Sequence, residues 1–337
     1  MPRVSVVLPV RDAEETLAAA LGSVGEQTLA DHEVVVVLNG CRDRSEAVAR
    51  DCAARDPRVR CLTLPRAGLV PALRLGLAAA RAPLVARLDA DDRMLPARLE
   101  AQVAALGEHP EWAAVTGGVR HVPAGDGTRG DGMARFVDWL NGLATPDDIR
   151  AARFIDAPVA HPAVTFRRDA ILGLGGYRAG PFPEDYDLWL RFFAAGLACG
   201  RVPDLVVEWR DRGGRLTRTD PRYSEGAARA LKHRVLLAGP LAGGRRCRVW
   251  GAGPYGRRHA RDLGRAGAAV DDLVDIDPRK VGRRAAGGRP VVGLGAVGPP
   301  DGRLVLVAPA SRGAREQVAA FLEARGHRVE RDWLAVQ

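Results

Sequence analysis

The sequence predicts an α/β protein, a mostly parallel sheet flanked by helices, followed by a smaller α/β domain. Three observations predict it. Short apolar runs of strand length alternate with helix-period stretches over the first 120 residues, the pattern of parallel strands joined by crossover helices. A second strand-turn-helix pattern starts after a Gly-rich interruption near residue 240. The length, 337 residues, exceeds what one core of roughly 150 residues accommodates.

The elements follow in order. Val4 to Val10 is the first apolar run. Asp12 then stands three residues before Glu15, the spacing of a capping box, and Leu17, Leu21 and Val24 recur at helical intervals. Glu33 to Leu38 reads as a second strand closed by Asn39-Gly40, Arg44 to Ala54 as a helix, and Val59 to Leu64 as a third strand. Leu69, Leu73, Leu77 and Ala80 define a further helix, and Leu84 to Leu88 a strand that runs into Asp89-Ala90-Asp91-Asp92. Acidic residues there sit at the carboxyl end of a parallel strand, where open sheets bind ligands. Gly125 to Gly132 reads as an exposed loop, and Ser224 to Leu237 as a helix leading into the Gly-rich stretch 238–244. Beyond it, a strand from Arg248 to Trp250 enters Gly251-Ala-Gly253-Pro-Tyr-Gly256, and Ala269 to Val274 forms another strand ending at Asp275 and Asp277. The expected domains are therefore 1–225, a linker helix and boundary over 226–244, and 245–337.

Composition narrows the function. With 47% hydrophobic and 27% charged residues the chain is ordinary globular protein, not disordered or fibrous. No apolar run approaches the roughly 20 residues that span a bilayer, and the start lacks a secretory pattern, so a cytoplasmic protein is expected. Five cysteines, with no C-x-x-C spacing, signal neither a disulfide framework nor a zinc site. The formal charge of +9 suits a polyanionic partner. Scattered arginines without a recognised spacing argue against nucleic acid, leaving phosphate-bearing small molecules or peripheral contact with an anionic membrane.

An Asp-x-Asp at a strand end can hold a divalent cation that neutralises a diphosphate, since Mg²⁺ takes one or two carboxylates plus substrate phosphates. The alternative is a solvated acidic turn, or a cap for a helix beginning near Leu95. Glu184, Asp185 and Asp187 likewise have two readings, a catalytic set or caps of the helix through Trp189 and Phe193.

The long-range order of motifs bears on both. Val-Ser-Val-Val-Leu-Pro-Val at 4–10, Asn39-Gly40, Gly68-Leu69 with Ala72-Leu73, Ala86 to Asp92 with Pro96 and Arg98-Leu-Glu100, and Glu184 to Arg191 together resemble family 2 glycosyltransferases of GT-A fold, over about residues 1–225. The resemblance implies inverting transfer of a sugar from a nucleotide-diphosphate sugar to an acceptor hydroxyl, on a cell-surface glycan or glycolipid. It implies Asp185 as general base, with Glu184 orienting the site. Asp91 would ligate Mg²⁺ or Mn²⁺, and Asp89 would support the metal or contact the donor ribose; Pro9, Arg11, Asp12, Asn39 and Arg66 fall at the strand ends that would meet the nucleotide. Two departures stand out. Leu38-Asn39 replaces an acidic pair, leaving an amide whose oxygen can still accept a hydrogen bond from a base. Arg212 replaces a His that serves as a metal ligand; Asp211 is a candidate substitute ligand, while Arg212 could meet the diphosphate directly.

His161-Pro162 resembles the segment ahead of the Glu-Asp pair and could line the acceptor site; Trp139 and Trp189 could stack on sugar, though helical spacing favours core packing. The strand-turn-helix at Gly251 to Gly256, with Asp275 at the next strand end, has the context of a Rossmann-like dinucleotide fold. Two rival readings follow: a transferase fused to an NAD(P)-binding oxidoreductase module, and a non-catalytic nucleotide-sugar sensor.

Overall fold

The structure, a computed structural model, describes residues 1–123, 131–212, 214–309, 311 and 313–337. They form two compact units, one of 1–150 with 158–224 and one of 151–157 with 225–337. Most of the Gly125 to Gly132 loop lies outside the described residues, and its last two positions already belong to a helix.

The first unit is built on strands β1 (Val4–Val10), β2 (His32–Asn39), β3 (Val59–Leu64), β4 (Leu84–Arg87), β5 (Arg93–Met94), β6 (Trp112–Val122), β7 (Thr165–Arg167) and β8 (Ala198–Arg210), in the sheet order β3-β2-β1-β4-β7-β6-β8-β5. The first four neighbours are parallel, as the alternation predicts; β7 runs antiparallel between β4 and β6, and β5 antiparallel to β8. The central strands are continuous apolar runs because both faces are covered. Val4, Val6, Leu8 and Val10 point into one core with helices α1 (Leu17–Gly25), α2 (Ser45–Arg55) and α4 (Arg98–Glu108). Val7, Val35 and Val37 point into the opposite core, with α3 (Leu69–Ala79) and the later helix Glu184–Ala194.

One predicted local motif does not form. Asp12 adopts a left-handed φ of 47° and its Oδ1 accepts the Arg42 N–H at 2.8 Å, so α1 begins only after Thr16 with no side-chain cap. A loop contact thirty residues away has taken the oxygen a capping box would use. Gly40 ends β2 at φ +62°, and a Cβ there would lie 2.9 Å from the Ala67 nitrogen, so the turn after β2 admits only glycine.

Among the described residues, α5 (Asp131–Asn141), α6 (Pro146–Ala151), α7 (Arg168–Gly173), α8 (Glu184–Ala194) and α9 (Leu216–Thr219) follow, with short 3-10 turns at His161–Ala163 and Pro221–Tyr223. The second unit contains α10 (Glu225–Ala238), β9 (Cys247–Trp250), α11 (Pro254–Arg265), β10 (Val270–Val274), β11 (Arg284–Ala285), β12 (Arg289–Val292), β13 (Leu304–Val307), α12 (Ala314–Glu323) and β14 (Trp333–Ala335). Its sheet order is β11-β12-β10-β9-β13-β14, parallel except for β11. A Cβ on Gly256 would fall within van der Waals overlap of the Gly251 carbonyl, so that glycine lets α11 pack onto the turn leaving β9. All five cysteines are free, and among the described residues no helix is long and apolar enough to cross a membrane.

Candidate active site

β4 delivers its last side chain, Arg87, into the interior at 3% exposure. Its Nη2 donates to Asp89 Oδ1 at 2.5 Å, and its Nη1 to the Leu88 carbonyl. Burial acts to raise the Asp89 pKa, but the Arg87 charge, helped by Arg215, overrides it and holds the carboxyl below the usual range. Asp91 moves the other way, raised by burial and then by the Asp89 charge. Asp92 is fully buried; its Oδ1 accepts the Arg210 N–H at 2.9 Å, its Oδ2 has no partner among the described residues, and burial with the charges of Asp89 and Asp91 pushes it well above the usual range.

The second acidic group begins α8. Pro183 enters the helix in an extended conformation, and Glu184, Asp185 and Asp187 occupy the first turn, where the helix dipole favours negative charge. None acts as a side-chain N-cap. Glu184 Oε2 accepts the Tyr223 hydroxyl at 2.6 Å, and Asp187 pairs with Arg191 at 2.8 Å. Asp185 Oδ1 accepts the Tyr186 N–H at 2.7 Å, and its Oδ2 lies 4.0 Å from His161 Nδ1. Burial, then the Glu184 charge, and further the Asp89 charge push Asp185 up to about 7. Glu184 is raised as well, by burial, against the opposing Tyr223 hydrogen bond. The Asp89 charge also acts on His161, and Arg87 acts on Glu184, so the fold brings the strand-end and helix-start carboxylates into one electrostatic neighbourhood. Residues almost a hundred positions apart in sequence meet there.

His161 is buried and its Nε2 shares a 2.8 Å hydrogen bond with the Tyr177 hydroxyl. Burial, and then the Arg87 charge, push it down to about 3, so it is neutral and its contact with Asp185 is not an ion pair. Trp189 meets the His161 ring edge-on at 6.3 Å but is wholly buried, which excludes it as a sugar platform. Trp139 packs half-buried against Phe136 at 5.5 Å.

The other candidate residues divide into engaged and open groups. Pro9 is buried in β1, Arg11 is exposed with its Nε 3.8 Å from Asp12, and Arg66 is exposed in the turn after β3. Asn39 is buried, its Oδ1 accepting the Gly68 N–H at 2.7 Å, so that oxygen is already engaged in holding the start of α3. Arg212 bonds Glu15 at 3.0 Å and Thr16 at 3.4 Å, and its charge reaches Asp91. Asp211 is paired with Arg218 at 2.6 Å and faces His121 at 3.8 Å, so its charge is matched by an arginine. Three residues outside the sequence-derived set belong to the site. Arg87 neutralises Asp89, Tyr223 holds Glu184, and Arg215, stacked 4.9 Å over Trp209, bears on Asp89, Asp91 and Asp92. Nothing in the spacing of Arg210, Arg212, Arg215 and Arg218 distinguishes the one that counts.

Among the described residues no three His, Cys, Asp or Glu side chains form a complete ligand set. Asp89 and Asp91 nevertheless suit a hard divalent cation that draws its remaining oxygens from a diphosphate. The elevated Asp91 is the observation in favour, a carboxylate that burial and the Asp89 charge raise against the opposing charges of Arg215 and Arg212. In the second unit, Asp275 is internally engaged: its Oδ2 accepts the Ala252 N–H at 2.7 Å and Lys280 Nζ at 3.1 Å, and its Oδ1 the Asp277 N–H at 2.9 Å.

Comparison with known proteins bears on the family and the fold. A family model described as Glycosyl transferase family 2 matches residues 5–173. The amylovoran biosynthesis glycosyltransferase AmsE of Erwinia amylovora is 31% identical over 201 residues, covering 59% of this chain and 72% of its own. The O-antigen biosynthesis glycosyltransferase WbnJ of Escherichia coli is 28% identical over 235 residues, 68% of this chain and 87% of its own. The crystal structure of S. aureus TarS superposes with a TM-score of 0.55 at 14% identity, over 78% of this chain and 43% of that one, so the chain spans less than half of TarS. TarS 1-349 in complex with UDP-GlcNAc gives 0.53 at 15% identity, over 79% and 71%. These likenesses show the GT-A fold.

Proposed function

Because the chain belongs to glycosyl transferase family 2, we propose that it transfers a sugar with inversion from a nucleoside diphosphate sugar to an acceptor hydroxyl, in the synthesis of a cell-surface glycan or glycolipid. The observation that carries the reading is that the Asp89 charge bears on both Asp91 and Asp185. Relatives named for amylovoran and O-antigen biosynthesis support the glycan class, and the UDP-GlcNAc complex of TarS supports a nucleotide-sugar donor.

Asp185 is the general base. Its Oδ1 is anchored by the Tyr186 N–H, and the free Oδ2 takes the acceptor proton as the acceptor oxygen bonds the anomeric carbon and the bond from that carbon to the diphosphate breaks. A pKa near 7 matches this task, since the base must be ionised at working pH yet basic enough to hold a proton. Glu184, fixed by Tyr223, keeps Asp185 basic by its charge. Asp89 and Asp91 would hold Mg²⁺ or Mn²⁺, which when bound supplies Lewis-acid stabilisation of the departing diphosphate. Arg215 and Arg212 add fixed positive charge on the same side of the site, where their influence on Asp91 is felt. We assign the transfer to residues 1–225, with 226–244 as a boundary and 245–337 as a Rossmann-like accessory domain, in a cytoplasmic protein. At the second unit's turn Asp275 is engaged with Ala252, Asp277 and Lys280, which favours the transferase reading over a fused oxidoreductase.

The test is release of nucleoside diphosphate from UDP-GlcNAc, UDP-galactose and GDP-mannose, with Mn²⁺ and p-nitrophenyl glycoside acceptors. Wild type turns over one of them, Asp185→Asn loses turnover but keeps nucleotide binding, and Asp91→Asn loses Mn²⁺-dependent nucleotide binding. Retained turnover in Asp185→Asn would remove the base assignment.

A further inference from the structure

The nitrogen of His161 that faces Asp185 has its protonation fixed by a residue on the other side of the ring. Tyr177 is 2% exposed, and among the described residues its hydroxyl has one partner, His161 Nε2 at 2.8 Å. The loop that presents it is rigidly held: Gly175 and Gly176 both take left-handed φ values, of +80° and +65°, and Arg74 Nε donates to the Tyr177 carbonyl at 2.7 Å. If the phenol accepted from Nε2, its own O–H would be buried with no acceptor. The phenol therefore donates, Nε2 accepts, and the single proton of the neutral imidazole sits on Nδ1. That is the atom 4.0 Å from Asp185 Oδ2.

The gap is too wide for a direct hydrogen bond and wide enough for one oxygen between the two atoms. An oxygen about 2.8 Å from both Nδ1 and Oδ2 would subtend an angle of about 90°, compatible with a hydroxyl that accepts from one partner and donates to the other. Resting on the transferase reading, we propose that Tyr177 and His161 form a relay that seats the acceptor hydroxyl: His161 Nδ1–H donates to one lone pair of the acceptor oxygen, and the acceptor O–H points at Asp185 Oδ2. The remaining lone pair is then free to attack. When the bond to the anomeric carbon forms, the hydroxyl proton passes to Asp185 and the sugar-to-diphosphate bond breaks, while His161 neither gains nor loses a proton. His161 touches the acceptor; Tyr177 acts through it and is a positioning residue. The arrangement selects alcohols over ammonium groups, because an ammonium has no lone pair to offer Nδ1–H.

Two measurements on the full chain test the relay. Long-range ¹H–¹⁵N spectra of ¹⁵N-histidine protein, with the His161 signals identified by their absence from His161→Asn, show the Nδ1-protonated tautomer, and Tyr177→Phe loses it. A His161 protonated on Nε2 overturns the relay. In the diphosphate-release assay, using whichever of UDP-GlcNAc, UDP-galactose and GDP-mannose the wild type turns over, His161→Leu lowers acceptor kcat/KM by about tenfold or more, as expected for one lost hydrogen bond to a reacting oxygen. Nucleotide affinity stays unchanged, and His161→Asn, whose amide nitrogen overlays Nδ1, recovers part of the loss. Wild-type acceptor kinetics in His161→Leu, or a parallel loss of nucleotide affinity, overturns the role in seating the hydroxyl. A wild type inactive with all three donors counts against the transferase reading instead, and the tautomer then decides the relay alone.

Discussion

Replacing Asp185 with Asn separates the chemistry of the base from its cost to the fold. In the native chain the carboxyl titrates near 7, about three units above an unfolded aspartate at about 3.9. The native state thus holds a proton between about pH 4 and 7 that the unfolded state has released, so its stability falls as pH rises through that window. Three units correspond to about 4 kcal/mol at full strength, and solvent screening reduces this to about 2 kcal/mol, since the side chain is 25% exposed. Asn cannot ionise, and its Oδ1 can keep the Tyr186 N–H bond. At pH 8, Asp185→Asn therefore unfolds about 4–8 °C higher than wild type in a thermal melt, and the difference closes at pH 4, where both side chains are neutral. Transfer falls by about 10²–10⁴ in the same variant, and wild-type kcat/KM declines below pH 7 as the base takes its proton. A variant that melts at or below wild type at pH 8, or whose gain persists at pH 4, refutes the argument that burial and Glu184 together make this carboxyl basic.

Other residues give sharper structural tests. Arg98 is 1% exposed and donates to the carbonyls of Pro162, Arg87 and Val164 and to Gln102, with burial pushing it down to about 9; Arg98→Met should cost about 3–5 kcal/mol in urea unfolding, and Arg98→Lys should recover only part, because it lacks the planar fork. Arg218→Ala strands the buried Asp211 carboxylate opposite His121 alone, a loss of about 2–3 kcal/mol that adding Asp211→Asn should largely reverse. Gly40→Ala places a Cβ 2.9 Å from the Ala67 nitrogen at φ +62°, so it should destabilise by about 2 kcal/mol and weaken nucleotide binding measured calorimetrically.

The parts of the site that were legible in sequence are those whose chemistry is local. Val4–Val10 and, within His32–Asn39, the stretch from Val34 to Leu38 announce themselves because a strand buried on both faces needs a mostly apolar run, and the Asp89 to Asp92 turn comes just after another such strand. The acidic opening of α8 was visible for the same reason, although spacing left open whether those carboxylates cap the helix or face the site; Tyr223 and Arg191 decide that for Glu184 and Asp187. What stayed hidden depends on contacts between distant segments. Asp12 and Glu15 have the spacing of a capping box, yet Arg42 captures Asp12. Trp189 carries the same polar handle as a sugar-binding tryptophan and is nonetheless fully enclosed. Arg215 lies among several arginines, and the packing of its guanidinium over Trp209, with its hydrogen bond to the Arg210 carbonyl, places it beside the carboxylates.

The charge layout explains why two carboxylates so close in space can do different work. The chain as a whole carries +9, but Asp89, Asp91, Asp92, Glu184 and Asp185 crowd around Arg87 and Arg215. Arg87 is buried and cannot leave Asp89, so Asp89 stays ionised and remains a fixed anion for a cation to bind. Asp185 has no such cation beside it; burial and the Glu184 charge favour its protonated form over the opposing Tyr186 N–H bond, and His161 beside it is neutral. One environment preserves a charge and the other raises a pKa, the kind of separation that would suit the proposed division into a cation-binding anion and a base. On the proposed assignment, a cation held by Asp89 and Asp91 would add positive charge to the same neighbourhood and draw Asp185 toward ionisation, so that donor binding would ready the proposed base.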